Sequence, residues 1–315
     1  MKISIVTPVL NGEKFFAETI TSVLSQRGDF EIEYIIVDGA SSDRTPEIVS
    51  GFKMLVDDGF YPFQCKGVTL SFQSERGSTM YEALNRGFSL ATGDIFAWIN
   101  ADDIYLPGAF SHVTSIFERF SRVQWIKGIT SYINGLSEIT QTGRCFIYNQ
   151  QWLKEGVYGR ELYFIQQDST FWRGGLWKAV GGIPPHWKYA GDYWLWTAFA
   201  DKAPLYSVNA HVSCFRRAEG QLSSDRKAYR QELEELSPHL HKQHKILTTY
   251  LAYEPHVPRY LRKFLHRLLF GKQIYFLITR EDQSDFVIKS GEYHALSHIL
   301  ARTTDYPSYF SLEIS

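Results

Sequence analysis

What most limits the fold of this chain is the rhythm of roughly its first hundred residues. Apolar runs at 3–9, 32–37, 68–72 and 95–99 alternate with segments of helical spacing. The segment 13–26 puts Phe16, Ile20, Val23 and Leu24 on one face. A shorter helix is expected from Asp43, its N-cap, through Pro46 in the first turn to Phe52, and another over 80–91, ended by Gly93. Strands separated by helices pair in parallel, because the crossover returns each strand in the same direction. The expectation is a Rossmann-like half, which carries its functional groups at the carboxyl ends of the strands.

Beyond it the pattern changes. Residues 123–224 are richer in Gly, Trp and Tyr and read as a mixed sheet with short helices at 176–180 and 192–200. From Asp225 onward, charged runs such as KAYRQELEELSPHLHKQHKILTTYL read as helices. Aromatic residues make up 16% of the chain, enough for a sugar-facing platform, although core packing is the commoner use of such rings. A net charge of −1 argues against a nucleic-acid surface over the whole molecule. Cys65, Cys145 and Cys214 are far apart and read as reduced thiols of a cytosolic protein. The opening KISIVTPV enters a strand with no secretory pattern, and no apolar run approaches the ~18 residues of a spanning helix.

Acidic groups fall where this layout ends its strands. Asp38, in VDGASSDRT, can accept hydrogen bonds from a uracil ring or a ribose, as acids do after strands of nucleotide-binding folds. Turn chemistry is its competing use, and the same holds for Asp43. Glu75 closes the third strand and is a candidate for holding a nucleotide or a nearby loop, whereas Arg86 reads as solvated surface. Asp102 and Asp103 end the run WINADD, and two adjacent carboxylates raise each other's pKa unless a cation shares their charge. Mg²⁺ or Mn²⁺ takes carboxylate and diphosphate oxygens together. Asp192, in YAGDYWLW, is either the N-cap of a helix or a base that removes a proton from a hydroxyl.

The ordered set TPVLNG, VDGASSDRT, SERGSTMYEALNRGFSLATGD, NADD, QQDSTFWRGGLWKAVGG and AGDYWLW resembles the inverting family 2 glycosyltransferases of the GT-A fold, in their bacterial polysaccharide and cell-wall branch. The resemblance covers residues 2–224. It implies an α/β catalytic domain over 1–224, with a nucleotide-binding half at 1–103 and an acceptor half at 104–224, followed by a mainly helical extension at 225–315. It also implies that Thr7, Pro8 and Val9 line a nucleotide pocket and that Asp38 binds the base, typically uracil. Asp102 and Asp103 would hold Mn²⁺ or Mg²⁺, with Asp103 the more direct ligand. Asp192 would be the catalytic base, and Phe215, Arg216, Gly220, Gln221 and Ser223 would close over the diphosphate. The implied reaction moves a sugar with inversion from a nucleotide diphosphate, UDP above all, to a hydroxyl of a saccharide or lipid-linked saccharide. Asn100 stands where a strict DxD has its first acid, and Asp168 sits in QQDST where the family commonly carries other residues.

His239, His241 and His244 lack the i, i+4 spacing of a helical zinc pair and read as a solvated face. In 260–276, by contrast, Leu261, Phe264, Leu265, Leu268 and Leu269 share a helical face, with Arg262, Lys263, His266 and Arg267 mostly elsewhere. That is the pattern of a basic helix that either packs on the domain or lies on a membrane surface. A homo-oligomer is also open. The competing readings are a sugar nucleotidyltransferase, a dinucleotide oxidoreductase and a non-catalytic scaffold at the membrane. The first two need a Gly-rich phosphate loop near the first strand, and TPVLNGEKF has a single Gly.

Overall fold

The computed structural model describes residues 1–77, 79–158, 164–218, 226–236, 249–250, 253, 256–270, 274–280 and 286–292. An 11-stranded sheet organises them. Its amino-terminal part is parallel in the order β3 (Gly67–Ser74), β2 (Glu31–Asp38), β1 (Lys2–Val9), β4 (Ile95–Trp98). β1 is buried from Ile3 to Val9, which is why it reads as a continuous apolar run rather than an alternation. The crossovers are α1 (Phe16–Leu24), α2 (Thr45–Asp57) and α3 (Met80–Leu90). α3 starts on a capping box. The Thr79 hydroxyl accepts from Glu82 N, and Glu82 Oε2 accepts from Thr79 N at 2.7 Å.

Past β4 come β5 (Ile104–Tyr105) and α4 (Ala109–Arg119). β6 (Trp125–Ile133), β7 (Ile139–Gln141), α5 (Gln150–Lys154), β8 (Thr170–Arg173), α6 (Gly174–Val180), α7 (Gly191–Lys202) and β9 (Leu205–Arg216) complete this half. β8 lies antiparallel between β4 and β6, so the sheet is mixed, as expected, and β9 continues it parallel to β6. The later part contains α8 (Arg226–Leu236) and α9 (Arg259–Phe270), then the antiparallel pair β10 (Ile274–Arg280) and β11 (Phe286–Glu292). β10 pairs in parallel with β9, so part of the helical extension prolongs the central sheet. The segment read as one amphipathic stretch therefore divides: α9 ends at Phe270, before Gly271, and a strand has begun by Ile274. A short apolar run such as IYFLI fits helix and strand periods equally well, and only its partner decides.

Each sheet face carries a core. One holds Ile5, Phe16, Ile20, Ile36 and Phe110; the other collects Trp98, Trp125, Trp172, Trp177 and Trp196 with Phe88 and Phe199. Trp98 stacks on Trp196 at 5.6 Å, and Trp125 on Trp196 at 5.9 Å. The tryptophans thus serve packing, and truncating such a ring costs about 3–5 kcal/mol. Cys65, Cys145 and Cys214 are free thiols. Among the described residues, no helix is long and apolar enough to cross a membrane.

Candidate functional site

The loops leaving β1 and β2 are laced together. Asn11 N donates to Ser41 Oγ at 2.8 Å, Ser42 N to Asn11 Oδ1 at 2.9 Å and Gly12 N to Thr45 Oγ1 at 2.8 Å. Glu13 N donates to Asp43 Oδ2 at 2.9 Å, and Arg44 N returns a bond to Glu13 Oε2 at 3.0 Å. Asp43 also accepts from Thr45 N, so its turn chemistry is real even though α2 has Arg44 at its cap position. Asn11 has a φ of 53°, a left-handed conformation that asparagine tolerates better than most residues. Asn11 and Glu13 were not singled out from sequence. Their signal lay in the position of LNGE directly after a buried strand.

Asp38 sits beneath this lattice at 1% exposure. Ser41 N lies 3.1 Å from both of its oxygens, Ser41 Oγ donates to Oδ1 at 2.5 Å, and Ser74 Oγ donates to Oδ2 at 2.7 Å. The carboxylate is therefore committed to shaping the turn that leaves β2 and tying it to the end of β3. Thr7, Pro8 and Val9 are likewise buried; the Thr7 hydroxyl meets that of Tyr34 at 3.0 Å inside the core. A strand covered on both faces reaches solvent only past its last residue, here at Leu10. Glu75 is paired with Arg86, so the arginine read as solvated has a partner.

At the end of β4, the two acids of NADD face different surroundings. Asp103 is fully buried; its Oδ1 accepts from Arg216 N at 2.9 Å, and Gln167 Nε2 lies 3.4 Å from its Oδ2. Burial pushes its carboxyl well above the usual range, and the charges of Asp102 and Asp168 push it further. Asp102 is half-buried. Asp102 is thus the more exposed of the two acids, and Asp103 lies behind it. Arg216 is also buried. Its Nε donates to the Asp102 carbonyl at 2.7 Å, one terminal nitrogen to Asn134 O and Ser137 Oγ at 2.9 Å each, and the other to Glu18 Oε2 at 2.6 Å. The guanidinium holds the Asp102 loop against α1 and the β6–β7 hairpin, rather than standing open for a diphosphate. Gln221, Gly220 and Ser223 lie outside the described residues, as do His239, His241 and His244.

The donor set suits a hard cation only in part. Asn100 Oδ1 is buried with no hydrogen-bond partner among the described residues, and Asp102 adds a carboxylate. Amide and carboxylate oxygens of this kind complete the shell of Mg²⁺ or Mn²⁺ when a diphosphate brings the rest. Among the described residues, no cluster of three His, Cys, Asp or Glu could hold an ion unaided.

Asp192 occupies another corner. It is the second residue of α7, whose cap position is Ala190, so plain N-capping does not account for it. Gly191 lets the helix start press against α3: a Cβ there would lie 2.7 Å from the Tyr81 ring. Asp192 N lies 3.4 Å from the Tyr81 hydroxyl, which donates to Tyr189 O at 2.8 Å. Tyr81 is in the first turn of α3, just past the carboxyl end of β3, and so Asp192 borders the sheet end that carries Asp38. Its carboxylate accepts from Tyr193 N at 2.7 Å. Burial raises its pKa to about 7 against those hydrogen bonds. Beside Asp103, not Asp192, lies a polar group that the sequence reading missed in part. Asp168 is fully buried and accepts from Ser213 Oγ, and burial lowers the Lys127 pKa to about 8.

Comparison with known proteins places this geometry. The family model described as Glycosyl transferase family 2 matches residues 4–167. A glycosyltransferase of Nostoc, itself uncharacterized, is 30% identical over 118 residues, 38% of this chain and 33% of that protein. One from Rickettsia typhi is 25% identical over 211 residues, 65% of this chain and 60% of its own length. The chain thus spans between a third and three fifths of these relatives. The S. aureus TarS 1–349 structure in complex with UDP-GlcNAc matches with a TM-score of 0.55 at 17% identity, over 71% of this chain and 61% of that one. The mannosyltransferase PcManGT from Pyrobaculum calidifontis, in complex with GDP-Man and Mn²⁺, matches with a TM-score of 0.52 at 18% identity, over 73% and 61%. At such identities the likeness is one of fold, and the fold is that of GT-A enzymes.

Proposed function

Because this chain belongs to glycosyl transferase family 2, and is a glycosyltransferase of the GT-A fold, we propose that it transfers a sugar from a UDP-linked donor to a saccharide hydroxyl with inversion. The observation that carries the proposal is Asp192, a desolvated carboxylate with a pKa of about 7 beside the carboxyl end of the parallel sheet. A base with that midpoint is half ionised near neutrality and takes a proton readily from an acceptor hydroxyl. One base and no covalent intermediate give in-line displacement, hence inversion. The laced loops after β1 and β2, held by Asp38, form the wall for the nucleotide. Asp102 and Asn100 supply oxygens for a divalent ion, with Asp103 and Arg216 fixing their loop. Bound with the diphosphate, such an ion neutralises the leaving group. The donor complexes of TarS and PcManGT support a nucleotide-sugar donor, and the PcManGT complex supports a metal.

The acceptor in this proposal is a saccharide carried on a lipid at the membrane surface. A relative from Mycobacterium bovis, 33% identical over 101 residues, 32% of this chain and 35% of that protein, is a PGL/p-HBAD biosynthesis glycosyltransferase. On α9, Tyr260, Phe264 and Leu268 are largely exposed, with Leu261 and Leu269 beside them. Residues 255–280 carry Arg259, Arg262, Lys263, Arg267, Lys272 and Arg280 and no Asp or Glu. Exposed apolar side chains in an acid-free basic stretch suit an anionic lipid surface. Phe264→Ser with Leu268→Ser should abolish flotation with phosphatidylglycerol vesicles at low salt; equal flotation of the variant would remove the membrane from the proposal.

Calorimetry tests the donor. UDP should bind more tightly with Mn²⁺ than without, and more tightly than GDP or dTDP; Asp102→Ala should erase the metal effect. If none of the three nucleotides bound, the donor site would be misplaced and a non-catalytic role would take its place.

A further inference from the structure

Successive backbone N–H groups just before α7 converge on one side chain of α8. Lys188 N donates to Glu232 Oε1 at 2.9 Å, while Tyr189 N and Ala190 N donate to Oε2 at 2.8 and 2.7 Å. Both carboxylate oxygens are thus used on the segment that leads directly into Asp192. Converging N–H groups of this kind form a nest for an anion, and here the chain supplies the anion itself. The contact is more than one side chain deep. Leu233 and Tyr229 of α8 pack with Ala190 and Tyr193, and from the opposite side the Tyr81 hydroxyl holds Tyr189 O. The entry to α7 is therefore gripped between α3 and α8.

We propose that Glu232 is a positioning residue for Asp192: it fixes the backbone that aims the carboxylate and places a negative charge beside it. The proposal rests on the reading of Asp192 as the base. It also makes α8, which the sequence assigns to the extension after 224, a working part of the site. The ionisable groups around Asp192 are Tyr81 on α3, Tyr193 on its own helix, and Tyr229 and Glu232 on α8. At neutral pH Tyr81 and Tyr229 are uncharged, because burial pushes both well above their ordinary range. Glu232 is the neighbour whose charge opposes ionisation of Asp192, and removing that charge makes Asp192 the stronger acid.

The test needs no donor. The full chain is labelled with ¹³C at the aspartate carboxyls, and Asp192 is assigned by the signal lost in Asp192→Asn. In Glu232→Gln its titration midpoint should fall by roughly half to one pH unit. Exchange of the amides of Lys188–Ala190 should quicken at least about tenfold, since the amide NH₂ faces donors. Glu234→Gln, an exposed neighbour on the same helix, should leave both unchanged. Glu232→Asp keeps the charge but shortens the reach, so the midpoint should stay within a few tenths of a unit while exchange quickens; this variant also serves if Glu232→Gln folds poorly. A midpoint unmoved in Glu232→Gln would overturn the proposal, whatever the amides do, because a merely structural clamp moves the exchange alone. A separate failure, full sugar transfer by Asp192→Asn, would overturn the base assignment and leave the measured coupling standing.

Discussion

Asp38 and Asp192 are both buried aspartates at the same end of the sheet, yet they are built for opposite purposes. Asp38 takes hydrogen bonds from Ser41 N, Ser41 Oγ and Ser74 Oγ, all supplied by the turns it joins. Asp192 takes one from Tyr193 N, with its own N–H and the Tyr81 hydroxyl also in reach, yet desolvation outweighs these donors and the Glu232 charge adds to it. Burial is common to both; what it meets differs. Asp38 spends its oxygens on tying two turns together and is part of the scaffold, whereas a carboxyl whose desolvation outweighs its donors has a proton to exchange at neutral pH.

The sharpest break between them is activity. Asp192→Asn should lower turnover by about 10³-fold, within the usual range for a general base, with UDP affinity unchanged. The wild-type rate should rise with pH and level off above about 7, as the base ionises, and the residual rate of the variant should lack that limb. Equal limbs in both proteins would mean that another group titrates. Stability supplies the next break. The folded pKa of Asp192, about 7, stands above the unfolded value, so the folded state holds the proton longer and stability falls as pH rises from about 4 to about 7. Asp192→Asn should therefore be more stable than wild type by roughly 2–4 kcal/mol at pH 8 and equal to it near pH 4, read from urea midpoints. Asp38→Ala should go the other way and lose roughly 2–3 kcal/mol across that range, because buried donors are left without an acceptor.

The same contrast explains what the sequence could disclose. The parallel half was legible because β1, β2 and β4 are buried on both faces and announce themselves as apolar runs, and because α3 carries its capping box in STMYE. Acids at strand ends were legible for the same reason. Their orientation was not: whether Asp102 or Asp103 faces outward depends on Arg216, far along the chain on β9, whose backbone N–H claims Asp103. Thr7 illustrates the same limit, since its inward turn is decided by Tyr34 on the adjacent strand. β10 was hidden because its partner β9 lies well before it, and Glu232 because nothing local marks a helix glutamate that captures a distant loop.

The smallest effect divides the Asp38 corner itself. Ser41 supplies both a backbone and a side-chain donor to Asp38, whereas Ser74 supplies a hydroxyl alone, from the end of β3. Ser74→Ala removes that one bond and leaves the Ser41 pair in place, so stability should fall by about 1.5 kcal/mol, the net worth of a single hydrogen bond to a charged group at its lower end. UDP affinity should fall by less than about threefold, since the loop lattice from Asn11 to Thr45 does not pass through Ser74. A loss of affinity larger than the loss of stability would mean that Ser74 meets the nucleotide directly, which would turn this corner from a scaffold into a contact surface.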